Sequence, residues 1–250
     1  MSEERFHLEN APIIEAIVDI DCELPPDFEL EANMSAIHAV LEDAYPKVLR
    51  HMVQEHRLSP QTDNLPEWHI SQELEALRFQ SEDEKQLVQF RTGGFSFNRL
   101  TPYEGLDSYL YEIRRTWEIF VDLVKPVQIR KIGLRTINQI PLPLENGSLR
   151  LEDYLKIGPR LPDEGELTFI GFLNQHQALE PKTQNRVDIV LASQKADEES
   201  LTLILDINAF HQCQESPPPW ETISEKIASL RELKNSVFRN TLTEKCLKLF

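Results

Sequence analysis

The stretch IIEAIVDIDCEL at residues 13–24 alternates apolar and polar side chains with the period of two that a half-buried strand requires. Ile14, Ala16, Val18, Ile20 and Cys22 fall on one face, which reads as core, and Glu15, Ile17, Asp19 and Asp21 fall on the other. Pro25-Pro26 stops the strand, because proline has no amide hydrogen to donate, and Asp27 is placed to cap a helix. Leu30, Met34, Ile37, Leu41 and Tyr45 then recur at helical spacing up to Pro46. A strand that is apolar on one side, followed at once by an amphipathic helix, predicts an α+β layer in which the helix covers the apolar face.

Working outward, strand-like segments follow at 48–58, 69–79 and 87–100, separated by SPQTDNLP at 59–66 and the acidic SEDEK at 81–85. Gly93-Gly94 inside the third segment predicts a bulge or a close backbone approach. A helix over 106–124 carries a wide apolar stripe that includes Tyr109, Ile113, Trp117 and Phe120, and Lys125-Pro126 closes it. A strand at 127–140 opens the second half, with a short helix at 151–157 and strands at 167–179, 186–193 and 201–210. PPPW at 217–220 leads into a long helix with Ile223, Ile227, Leu230, Val237 and Leu242 on its buried side. Both halves therefore read β-α-β-β-β-α, and FSFN at 95–98 and LDIN at 205–208 hold matching places. The expected fold is α+β: two such pseudo-repeats, residues 1–125 and 126–250, in mainly antiparallel sheets with helices on one face. If the two sheets join, they form one continuous domain.

Composition narrows the partners. The chain's 42 acidic against 26 basic residues give a net charge of −16, spread along its length. Such a surface repels nucleic-acid phosphates and anionic membranes, which are bound through clustered lysine and arginine. Nucleic acid is thus disfavoured as a partner, and a protein or a small molecule is expected. The three cysteines, Cys22, Cys213 and Cys246, are far apart and form neither a disulfide framework nor a zinc motif. The opening MSEERFHLENAP has no apolar core, and no apolar run approaches the roughly 18 residues that span a bilayer. These features predict a cytoplasmic protein without membrane contact; oligomeric state is not readable.

No dinucleotide, P-loop, zinc-protease, nucleophile-elbow or kinase signature occurs, so no cofactor is implied. Asp19 and Asp21 share a strand face with Glu15, a pattern that suits a divalent cation. In so acidic a chain it reads instead as a solvated face, and no metal is expected. The informative polar residues sit inside apolar segments: Asn98 and Arg99 in FSFNRL, Arg135 and Asn138 in GLRTIN, Asp206 and Asn208 in LDIN, and Asn235 in LKNSVF. Buried polar groups need hydrogen-bond partners, so these residues, with Glu15, either pair with one another or face a ligand. An arginine–aspartate clamp, Arg99 or Arg135 with Asp206, is the sharpest such expectation.

The segments N-x-P-x-x-E at 10–15, F-x-x-N-R-L-x-P-Y at 95–103, G-L-R-x-x-N at 133–138, L-D-I-N at 205–208 and L-x-x-L-K-N-x-x-F at 230–238 also carry a resemblance. In order and spacing the chain resembles a sporadically distributed bacterial family of about its own length and of unassigned function. The resemblance spans essentially the whole chain and implies a unit of fixed length, with no catalytic residues to carry over. The family's patchy occurrence associates it with mobile-element or defence genes. The expected function is a binding or regulatory protein. Its rival is an enzyme with an unfamiliar site around Glu15, Arg99, Arg135 and Asp206. A nucleic-acid module would require Arg114, Arg115, Arg130, Lys131 and Arg135 to converge despite the overall charge.

Overall fold

β1 (Ile13–Glu23) lies in the middle of a nine-stranded antiparallel sheet, and the rest of the chain is laid out on either side of it. The computed structural model describes residues 8–59, 67–144, 149–160, 170–195 and 200–250. After β1 come α1 (Leu30–Leu41), β2 (Lys47–Ser59), β3 (Glu67–Gln80), β4 (Gln86–Arg91), β5 (Gly94–Leu100) and α2 (Leu110–Val124). Then follow β6 (Gln128–Pro143), β7 (Leu173–Leu179), β8 (Arg186–Lys195), β9 (Ser200–Glu215), α3 (Trp220–Thr241) and the short α4 (Glu244–Leu247). The strand order is β2-β3-β4-β5-β1-β6-β9-β8-β7. Because β1 pairs with both β5 and β6, the sheet runs unbroken past the 125/126 boundary.

The period of two in β1 sets the layers. Val18 lies opposite Phe97 on β5 and Leu134 on β6, and Ile20 lies opposite Phe95 and Ile132. These side chains are buried, and α1 packs on β3, α2 on β5, and α3 on β6 and β9. Phe90 and Phe95 meet Phe120 of α2 with ring centroids 5.1 and 5.7 Å apart. Each fully buried ring contributes about 1.5–3 kcal/mol of transfer free energy, so this aromatic layer anchors the helices to the first five strands. No helix of the described residues is long and apolar enough to cross a membrane.

Five local expectations are corrected. The segment 87–100 is two strands, β4 and β5, joined by a turn at Thr92-Gly93. Gly94 stands at φ 137°, and a Cβ there would lie 2.1 Å from the Ile20 carbonyl oxygen, so only glycine permits β5 to start so close to β1. In β1 the core position at the start is Ile13, not Ile14. The register with β6 slips between Ile13 and Glu15, and this bulge reverses the alternation there. Asp27 does not cap α1; it lies in a turn closed by Phe28 N–H to Pro25 O (3.0 Å), and Glu29 occupies the cap position.

The helix expected at 151–157 is a single 3-10 turn at Leu151–Asp153. Leu155 is drawn into a backbone bridge with Leu242, which lies just past the end of α3. On α3 itself, Val237 is only half-buried, while Lys234 and Phe238 are buried. The loop segment 60–66 and the strand start at 167–169 lie outside the described residues.

Candidate functional site

The odd-numbered face of β1, turned away from the helices, carries a charge array. Arg91 Nη2 donates to Asp19 Oδ1 (2.5 Å) and Asp21 Oδ1 (2.9 Å), and Lys131 Nζ lies 2.7 Å from Asp21 Oδ2 and 3.3 Å from Asp19 Oδ2. Two carboxylates thus meet two cations, and Arg91 and Lys131 stand against the oxygens a divalent ion would use. Burial pushes the Asp19 carboxyl up, with Arg91 offsetting part of the effect. Burial acts the same way on Asp21, but the hydrogen bonds and charges of Lys131 and Arg91 outweigh it and the net shift is downward.

Beside this array a hydrogen-bond relay crosses four strands. Arg78 Nε donates to Gln89 Oε1 (3.0 Å), Gln89 Nε2 to Asn98 Oδ1 (2.9 Å), and Asn98 Nδ2 to Glu15 Oε1 (2.7 Å). Arg135 grips Asp206 with two parallel bonds, Nε to Oδ1 (2.9 Å) and Nη2 to Oδ2 (2.5 Å), and the bond to Asp206 raises the Arg135 pKa against the opposing effect of burial. Asn208 is the neighbour of Arg135 on β9 and of Asp188 on β8.

Glu15, Asn98, Arg135, Asp206 and Asn208 therefore share the face that is helix-free among the described residues, whereas Arg99, Asn138 and Asn235 do not join them. Strand parity separates Arg99 from Asn98: its guanidinium is buried on the helical side, 4.9 Å from the Tyr109 ring centroid. Its Nε has no hydrogen-bond partner among the described residues. The quartet Glu15, Arg99, Arg135 and Asp206 is thus divided between two sides of the sheet. The five basic residues do not form one patch either. Arg114 pairs with Glu118, Arg115 with Glu112, Arg130 with Glu23, Lys131 with Asp19 and Asp21, and Arg135 with Asp206.

Near the far end of β9, His211 Nδ1 lies 3.0 Å from Asn185 Oδ1 and its Nε2 lies 3.3 Å from Lys226 Nζ. Burial and then the Lys226 charge lower the His211 pKa. The adjacent Ser229 hydroxyl meets the Asn185 amide (3.0 Å) rather than the imidazole, so no nucleophile–base pair forms there.

Asn138 and Asn235 come together elsewhere, in a cavity of about 290 Å³ on the helical side. Its walls are the segment before and at the start of β1 (Pro12, Ile13), the loop after β5 (Tyr103, Glu104), Asn138 of β6 and one stretch of α3 (Arg231, Lys234, Asn235, Phe238). The β1 bulge shapes this site by placing Ile13 opposite Asn138. Asn138 Nδ2 is spent on the Leu205 carbonyl (2.8 Å), which holds the amide in place.

Lys234 is the residue that sequence reasoning missed. It is 8% exposed, and no hydrogen bond or carboxylate among the described residues acts on its ammonium. Burial, and then the positive charge of Arg231, pull its pKa down to about 8. The signal was present: Lys234 falls one helical step after Leu230 and one before Phe238, inside the apolar stripe of α3. A lysine at such a position is either buried or bends the stripe, and here it is buried.

Fold and site together define an α+β protein on one large antiparallel sheet, with a lysine-lined cavity between the helical layer and the central strands. No family model matches the chain, and no curated protein does.

Proposed function

We propose that this chain is a non-catalytic binding or regulatory protein that receives a small-molecule ligand in the cavity beside Lys234. The carrying observation is a buried ammonium without a counter-charge on the wall of an otherwise well-formed pocket. Burying an unpaired charge is costly, and a fold selected for stability alone would place an apolar residue there. Convergent polar groups in a mostly preformed concavity are the usual features of a ligand site. The pairing of Arg135 with Asp206 and of Glu15 with Asn98 supports a binding rather than a catalytic reading, since those groups already satisfy one another.

We read the two halves as pseudo-repeats meeting at the β1–β6 seam, departing from the expected β-α-β-β-β-α order by an extra strand in the first half and a 3-10 turn in place of the first helix in the second. Two features support this: the last strand of each half, β5 or β9, pairs with its first, β1 or β6, and the sheet order is mirrored about that seam. In this reading the first half has gained a strand through the β4–β5 turn. Residence in the cytoplasm and a link to mobile-element or defence genes belong to the same reading. The test is a thermal-shift and native mass spectrometry screen of the full chain against charged and neutral small molecules, with Asn235→Trp as a pocket-filling variant. Binders lost in Asn235→Trp support the proposal. A screen without binders, or binders indifferent to Asn235→Trp, overturns it.

A further inference from the structure

We infer that the ligand is a small monocarboxylate with a short apolar body, whose carboxylate supplies the counter-charge that Lys234 lacks; this rests on the binding reading above and names its ligand class. The charged and titratable groups around Lys234 are Glu9, Tyr103, Glu104 and Arg231. Arg231 is engaged, its Nη1 lying 2.7 Å from Asp107 Oδ1. Glu104 is held at Tyr109: its amide donates to the Tyr109 hydroxyl (3.2 Å), which in turn donates to Glu104 Oε2 (3.5 Å). Burial pushes the Tyr103 pKa up to about 12, so its hydroxyl stays protonated. The Asn235 amide adds further donor capacity to the wall.

One buried ammonium without a counter-charge suits a single negative charge better than a dianion, and Glu9 and Glu104 elsewhere on the cavity wall disfavour a second one. A phosphate monoester carries close to two charges at neutral pH and is the poorer match. Leu8, Pro12, Ile13 and Phe238 make the apolar wall that a short hydrocarbon body would cover. The cavity volume, about 290 Å³, lies at the small end of ligand pockets and suits a small molecule.

Hexanoate, its neutral isostere hexanamide, and hexyl phosphate are the probes, titrated calorimetrically into the full chain and into Lys234→Met and Asn235→Trp. Hexanoate is expected to bind the unmodified chain at least about tenfold more tightly than hexanamide, the ratio a charge-assisted hydrogen bond supplies. Lys234→Met should erase that preference while keeping hexanamide binding, and Asn235→Trp should abolish both. On the unmodified chain, hexanoate affinity should fall as pH rises through about 8, with buffer-dependent heats that report proton uptake; this arm stands even if a variant misfolds. Equal binding of hexanoate and hexanamide, tighter binding of hexyl phosphate, or a preference that survives Lys234→Met overturns the inference. If the pocket takes only neutral or cationic molecules, the ligand class falls and the binding reading stands. If no probe and no screened molecule binds, both fail.

Discussion

The two faces of the sheet treat buried charge in opposite ways. On the helix-free side, Asp19, Asp21, Arg91 and Lys131 neutralise one another, and Arg135 is clamped to Asp206. On the helical side, Lys234 is more deeply buried than any of them, and no hydrogen bond or carboxylate among the described residues acts on its ammonium. A paired charge in a partly wet site roughly offsets its own desolvation, while an unpaired buried one is a net cost. Chemical character alone therefore does not mark a site; what marks it is a polar group left unsatisfied where the fold had room to satisfy it.

The contrast is broken most sharply at Lys234. Lys234→Met keeps the aliphatic stem and removes the charge, so it should stabilise the folded chain near neutral pH by about 3 kcal/mol, from the drop of its pKa from 10.5 to about 8. Denaturant unfolding measures this, and a destabilised variant would show that the ammonium has a structural partner. The same shift has a pH signature in the unmodified chain. The folded pKa lies below the unfolded one, so between about 8 and 10.5 the unfolded chain holds more protons and stability rises with pH. The gain over that window should also approach about 3 kcal/mol and should vanish in Lys234→Met.

On the other face the sign reverses. Asp21→Ala should destabilise by about 2 kcal/mol, because its bonds to Lys131 and Arg91 already outweigh the cost of its burial. Asp19→Asn should cost less, since burial already favours the neutral form of that carboxyl. Comparing the two variants by chemical denaturation separates a carboxylate held by its partners from one pushed towards neutrality; equal losses would remove the distinction. The smallest effect is expected at Arg135→Gln, below about 1 kcal/mol, because the Arg135 side chain is 43% exposed and water screens its pair with Asp206.

Much of this was legible along the chain. The alternation in 13–24 assigned Asp19 and Asp21 to one face and Val18 and Ile20 to the other, and the Gly93-Gly94 pair marked the place where β5 closes on β1. Strand parity also put Arg135 and Asp206 on faces away from their apolar neighbours. Parity separated Arg99 from Asn98 as well, placing Ser96 and Asn98 opposite Phe95, Phe97 and Arg99. Lys234 was hidden, because a single charged residue in an amphipathic helix is ordinarily read as an interruption at the edge of the stripe, where its ammonium can reach water.

What the sequence determined by itself is local: the side of a strand or helix on which a residue falls, because covalent geometry fixes those periods at 2 and about 3.6. Only the tertiary structure decided which charges meet. Arg91 and Lys131 reach Asp21 through registers set by strands distant in the chain, and the slip between Ile13 and Glu15 brings Ile13 opposite Asn138 at the wall of the Lys234 cavity. Coulomb energy and desolvation depend on distances between such remote segments and on the water excluded between them, and no local period encodes either.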